Sequence, residues 1–369
     1  MDIERVASRF PLAPRTRPAG KRLSERVDDL AATARNLETD TRPGTLAAAS
    51  RVHNQAALIA SDAGLHARAH RLCWDQAELY RKVLPLDTST ARLALEPIVN
   101  LARLLIRSGD GAAASRLLDT LYEAVSSAAS VVIDGRELRL DHLTATDADQ
   151  QEIARWVWNV RLADGVRALA AAGQWNRAAT QAQRCGGVGR RLLDGRQAIV
   201  LARLVSGHSE AALDMVQRSA SSEPWEQAVQ SCLDLLCRLA GGMPTRNESE
   251  EVLYRYHGMP DQLGLIVFHT RLGLTAVDLA DAAGNAESDR LVTRLADRAT
   301  AAADGYAARE ILFGHRNRLP SRQTTALESV VQASGLDAGT IPDTLMTEII
   351  TALETSRHTM TQILGTRGT

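Results

Sequence analysis

Aromatic residues are scarce in this 369-residue chain, at 4%. A core with so few rings must be filled by Ala, Leu and Val, and small side chains let backbone elements approach closely. Lysine is almost missing: of 43 basic residues only Lys21 and Lys82 are lysine, and the rest are arginine. With the heavy alanine usage, this bias points to a GC-rich coding sequence such as an actinobacterium's. Net charge is −1, so no global field draws the chain to nucleic acid or to an anionic membrane. No apolar run approaches the ~18 residues needed to span a bilayer. Asp2 and Glu4 come early and no apolar stretch follows them, which argues against a signal peptide. The four cysteines, Cys73, Cys185, Cys232 and Cys237, form no Cys-x-x-Cys pair. They read as reduced, buried thiols, as expected of a cytoplasmic protein.

Catalytic signatures are missing as well. Neither His-Glu-x-x-His nor Gly-x-Ser-x-Gly occurs. Gly186-Gly187-Val188-Gly189 has no strand pattern before it and no Lys-Ser/Thr after it, so it reads as a link between helices rather than a phosphate loop. His66 and His70 stand four apart, but no third metal ligand is in sight. Asp28-Asp29 reads as a solvated helix face. No catalytic residue, metal or cofactor is therefore expected.

What the chain does have is helical periodicity, from near Leu23 almost to its end. Apolar residues recur at three- and four-residue spacing, and short Gly, Asp and Ser breaks separate the segments. Helix above ~60% and strand under ~5% are expected. Residues 9–20 carry three prolines and three arginines and read as an extended arm before the first helix. Val131 to Leu140 contains Asp134-Gly135 between apolar and alternating residues, the signal of a two-residue hairpin. Thr146 is placed to cap the long helix that follows. Pro224 sits at the first turn of a later helix. The segment beginning at Asp261 is apolar enough for a buried central helix. Trp74, Trp156, Trp158, Trp175 and Trp225 read mainly as gap-fillers between helices, with one or two available to line a ligand surface.

The breaks themselves repeat. Gly64, Gly109, Gly173 and Gly207 are each followed five residues later by alanine, at Ala69, Ala114, Ala178 and Ala212. A glycine caps one helix in the left-handed conformation, and an alanine lets the next helix pack tightly against it. This pattern resembles the tetratricopeptide repeat over roughly residues 45–240. Only the step from Gly173 to Gly207 equals the family period of about 34 residues, and the family's Trp-Leu-Gly-Tyr pattern is absent.

The resemblance implies an all-α fold: a right-handed solenoid of antiparallel helix pairs interrupted by the hairpin insertion near 131–140. Residues 1–20 would be the arm, 21–242 the repeats, and 243–369 a C-terminal helical region continuous with or packed on them. It also implies a concave groove lined by the first helix of each pair, at positions about nine or ten, six and two before the terminal glycine. Those positions are Asn54 and Gln55, then Asn100, Arg103 and Arg107, then Asp164 and Arg167, then Gln197. Asn and Gln can pair with any extended backbone, and Arg can fork onto a carboxylate. Asn54, Asn100, Arg103 and Arg167 are expected to converge on one solvent-facing groove. The expected function is binding of a peptide or protein partner through that groove, with no membrane or nucleic-acid partner. Oligomeric state is left open, a homodimer included. The alternative is an all-helical enzyme, or an essential subunit of one, acting on a peptide in bacterial specialised metabolism.

Overall fold

Four glycines set the local architecture. The computed structural model describes residues 2–37, 44–243, 245–285 and 287–366. In it Gly64, Gly109, Gly173 and Gly207 adopt φ of 78, 85, 69 and 80°, a region where a Cβ is strained and glycine is not. Each closes a helix with the six-to-one bond of a Schellman turn. Leu65 N–H donates to Ala60 O at 2.8 Å, and Gln174 N–H to Leu169 O at 2.8 Å. Asp110 and His208 make the same bond to Leu105 and Arg203, at 2.9 and 2.8 Å. The alanines five residues on, Ala69, Ala114, Ala178 and Ala212, are all fully buried at 0% exposure. The repeated glycine–alanine pair thus marks a chain reversal followed by a close helix contact, as the sequence implied. Gly242 and Gly284 make the same turn, at φ of 66 and 75°, without the alanine.

The described residues are mostly helical, at 72%. In chain order they form α1 (Ile3–Arg9), α2 (Leu23–Leu37), α3 (Thr45–Asp62), α4 (His66–Arg81), α5 (Thr88–Arg107) and α6 (Gly111–Ser126). The strands β1 (Val131–Ile133) and β2 (Arg136–Leu138) follow, then α7 (Asp147–Ala171), α8 (Trp175–Arg184), α9 (Asp194–Val205) and α10 (Ser209–Gln217). The rest are α11 (Pro224–Ala240), α12 (Arg246–His257), α13 (Ile266–Ala282), α14 (Ser288–Ala301), α15 (Gly305–His315), α16 (Ser321–Ser334) and α17 (Asp343–Gly365). α13 is the apolar helix foreseen from Asp261 onward, with twelve residues buried from Val267 to Ala280. α5 runs unbroken through Pro97. No described helix is long and apolar enough to cross a membrane.

Packing divides the chain into two compact units, each assembled from two stretches of sequence. Unit 1 joins the residues up to Arg22 to Leu169–Ser334, and unit 2 joins Leu23–Ala168 to the residues from Gly335 onward. α11, α12 and α13 pack in succession within unit 1, so the region beyond residue 242 continues directly from the helices before it.

Unit 2 contains the antiparallel hairpin, with Val131 opposite Leu138 and Ile133 opposite Arg136. Its turn residues Asp134 and Gly135 take φ of 51 and 74°, the doubly left-handed turn that suits strand twist. The Asp134 carboxylate accepts from the Trp74 indole at 3.3 Å and pairs with His70 Nε2 at 2.8 Å, while the Arg136 guanidinium stacks 4.9 Å from the Trp74 ring. The hairpin is thereby clamped to α4, and His70 is engaged by Asp134 rather than paired with His66. Thr146 caps α7 as foreseen, its hydroxyl accepting from Asp149 N–H at 3.1 Å.

The closing helix of unit 2 is α17, which packs on α2, α3 and α4. At the centre of this contact, buried Ser356 donates to Ala49 O at 2.8 Å, and His53 Nδ1 lies 3.0 Å from Ser356 Oγ. Because the serine proton goes to Ala49, the His53 ring supplies the proton between them. Burial pushes this imidazole down to about 4; a backbone bond to Ala49 opposes the shift and the Arg357 charge adds to it.

Unit 1 departs from the expected arm in one respect. Before the extended residues there is a short helix, α1, capped by the Asp2 side chain accepting from Arg5 N–H at 3.0 Å. Its Val6 and Ala7, with Phe10 and Leu12 beyond it, are buried in the unit 1 core. The four cysteines are buried thiols. Trp74 and Trp175 are buried, and Trp156 and Trp225 pack at core margins.

Candidate functional site

α3, α5 and α7 each end two residues before a hinge glycine, and the candidate residues stand at counted positions before those glycines. In unit 2 the structure links them by hydrogen bonds. Asn100 Nδ2 donates to Asn54 Oδ1 at 2.9 Å. Arg103 Nη1 donates to Asn100 Oδ1 at 3.0 Å, and Arg103 Nε donates to Asp164 Oδ2 at 2.9 Å. The result is a continuous polar chain, Asn54–Asn100–Arg103–Asp164, running across three helices.

The exposure of its members differs in a useful way. Asp164 is an anchor, its side chain only 9% exposed, whereas that of Arg103 is 46% exposed. Two of the five guanidinium N–H groups are used in the bonds above, and the others remain available. Asn54 Nδ2 has no partner among the described residues, and Asn54 and Asn100 are half-buried. The two asparagines and the arginine are therefore held by one another in fixed orientations, with donors left over.

A second link lies two residues before the hinge glycines. Arg107 Nη1 donates to Asp62 Oδ1, and Arg26 Nη2 of α2 donates to Asp62 Oδ2 at 2.6 Å. Asp62 is 2% exposed, so this carboxylate is a buried junction holding two guanidinium groups. Arg26 and Asp62 were not singled out from the sequence. Asp62 stands before Gly64 as Arg107 stands before Gly109, so the same counting rule, applied without regard to residue type, would have found it. Arg26 carried no such signal.

The other candidate residues fall elsewhere. Gln55 is exposed next to Asn54, and Arg167 is half-buried on α7, one turn beyond Asp164. Gln55 is not joined to the polar chain by the bonds above. Gln197 belongs to unit 1, is fully buried and donates through Nε2 to Leu192 O at 2.6 Å. It fastens the loop before α9 and presents nothing to solvent. Two open clefts lie apart from the chain. One, of about 400 Å³ in unit 1, is lined by α10–α12 residues including Gln227, Asp234 and Glu251. The other, of about 510 Å³ in unit 2, is lined by residues including Arg81, Lys82 and Arg139.

No protein-family model, curated protein or solved structure matches this chain. The functional reading therefore rests on the residues themselves.

Proposed function

We propose that this protein is a tetratricopeptide-like binding module, that the helix pairs of unit 2 are stacked as such repeats, and that the polar chain across α3, α5 and α7 grips an extended peptide or a partner's tail. The observation that carries this reading is the hydrogen-bonded chain Asn54–Asn100–Arg103–Asp164, in which Asn54, Asn100 and Asp164 stand nine or ten residues before their hinge glycines and Arg103, six before its own, bridges two of them. Repeats that stack in register bring like positions together on one face. Asp62 and Arg107, each two residues before a hinge glycine, support the same register.

The chemistry suits a peptide ligand. Asparagine amides pair with backbone carbonyls whatever the sequence. An arginine already held by Asp164 loses little freedom on accepting a carboxylate from the ligand. The ordering has been done in the free protein.

The test is selection of a random peptide library with free carboxyl ends on the full chain, followed by affinity measurement on Asn100→Ala and Arg103→Ala. Selected peptides should bind each variant at least ~10-fold more weakly, a loss on the scale of one hydrogen bond to a charged group. Melting temperature should stay within about 2 °C for Asn100→Ala, whose side chain is uncharged and half-buried; Arg103→Ala, which takes a guanidinium from the largely buried Asp164 carboxylate, should melt lower, so its affinity is measured well below its transition. Peptides that bind both variants as tightly as the parent would end this assignment of the site.

A further inference from the structure

Residues 2–22 have an unusual status. They belong to unit 1 by packing, yet the chain leaves them directly into unit 2 and returns to unit 1 only at Leu169. Their hold on the rest of unit 1 is therefore entirely non-covalent over the intervening sequence, as that of a tethered ligand would be.

The contacts are those of a bound peptide. Val6, Ala7, Phe10 and Leu12 are the apolar anchors, all buried in the unit 1 core. Beyond them the main chain is read by receptor groups. Ala13 N–H donates to Asp194 Oδ1 at 2.9 Å and Arg17 N–H to Gly264 O at 3.2 Å. Gly20 N–H donates to Asp304 Oδ2 at 2.8 Å, and Gly20 O accepts from Gly305 N–H at 2.8 Å. Residue 20 has no room for a side chain: a Cβ would lie 2.8 Å from Tyr306 N and 2.9 Å from Tyr306 Cδ2.

Charge is complementary throughout. Arg5 and Arg9 both lie 3.6 Å from the Asp278 carboxylate, and Arg15 lies 3.7 Å from Asp194. The Arg17 guanidinium stacks 5.3 Å from the Tyr306 ring. Burial would raise the Asp278 carboxyl, but the hydrogen bond from His315 and the charges of His315, Arg5 and Arg9 outweigh it and hold it low. The receptor thus keeps a fixed negative charge where the segment brings arginines.

The attachment is also divisible. Residues 15–19 are exposed, and Leu12 is held at φ of 58°, a left-handed conformation that is strained for a non-glycine residue. Release of the segment would relieve that strain.

We propose that unit 1 carries a second peptide-binding site, formed around α9, α13 and the start of α15, that residues 2–22 occupy it in cis, and that it accepts from a partner a segment of the same chemistry: arginines spaced about an apolar anchor, then an extended proline-bearing stretch ending in glycine. This site is distinct from the polar chain of unit 2 and stands without it. A tethered segment competes at an effective concentration of roughly millimolar, so the resident segment masks the site until it is displaced.

The probe is a fluorescein-labelled synthetic peptide of residues 2–22, added to the full-length protein and followed by fluorescence anisotropy. It should bind the doubly substituted variant Phe10→Ala, Leu12→Ala, whose own segment is weakened, at least tenfold more tightly than the parent. A peptide carrying Gly20→Val should bind that variant at least tenfold more weakly than the native peptide. Absence of binding by the folded variant, or equal binding of the native and Gly20→Val peptides, would overturn the proposal. Should the variant not fold, the parent protein decides. Excess isotopically labelled peptide should speed hydrogen exchange at Ala13, Arg17 and Gly20 while leaving α9 and α13 protected, and unchanged exchange at those amides would overturn it equally.

Discussion

Acidification should loosen unit 2 through one buried histidine. His53 is 4% exposed and wedged between α3 and α17, and its imidazole is pushed from 6.5 to about 4 mainly by burial. Because the folded value lies below the unfolded one, the unfolded chain takes up the proton first. The stability present above pH 6.5 is then lost progressively as the pH falls toward 4. Each pH unit below 6.5 removes about 1.4 kcal/mol, so the loss between pH 7.5 and pH 5 comes to about 2 kcal/mol. For a domain of this size that is roughly 4–8 °C in melting temperature. His269, in unit 1, is also pushed to about 4, by burial first and then by the Arg298 charge against an opposing Asp261. A simple pH series would mix the two. The informative quantity is the difference between the parent and His53→Gln, melted by circular dichroism at both pH values. His53→Gln removes the titrating group but can still donate to Ser356, so its penalty at pH 7.5 should exceed its penalty at pH 5 by about 2 kcal/mol. Equal penalties at the two pH values would show that His53 keeps the same affinity for protons folded and unfolded, which a histidine buried at the α3–α17 contact could not do.

Other outcomes follow from the same packing. Ala178→Leu and Ala212→Leu insert a large side chain at fully buried helix contacts and should each cost ~1–3 kcal/mol in denaturant unfolding through overpacking; parent-like midpoints would contradict the assigned register. Asp62→Ala leaves Arg26, itself only 9% exposed, without its buried carboxylate, and should cost about 3–5 kcal/mol, read as a lowered urea midpoint with faster hydrogen exchange in α2. Burial pushes the thiols of Cys73, Cys232 and Cys237 up to about 12, and Cys185 is buried too. Ellman's reagent should therefore titrate four thiols after denaturation and none on the same timescale before it.

Features fixed by nearby residues could be read from the sequence. The Asp134-Gly135 turn, the Thr146 cap and the four hinge glycines each depend on a backbone conformation that only certain residue types adopt cheaply. The polar chain was partly legible for the same reason. Counting back from a capped helix end places Asn54, Asn100 and Asp164 nine or ten residues before their glycines and Arg103 six before its own, though it says nothing of the bonds between them. It failed for Gln197, because the rule gives height along a helix and not whether a loop covers that face, as the loop ending at Leu192 does. The return of α17 to α2 and α3 was illegible, since its apolar face would suit many partners and only tertiary packing selects one. α1 was missed because seven residues hold too few turns for periodicity to register, and its helix depends on the Asp2 cap and on Val6 and Ala7 being buried by residues far along the chain.

That late return of α17 has a consequence in time. Roughly 280 residues separate the end of α3 from the start of α17, and at ribosomal rates of about 5–20 residues per second they take roughly 15–60 s to make. Throughout that interval α2 and α3 have been synthesised, and the apolar surface destined for α17 has nothing of its own to cover it. The nascent chain thus carries a sticky, half-built layer for far longer than a helical hairpin needs to form. Its yield in the cell should be governed by what shields that layer during synthesis as much as by the stability of the finished fold.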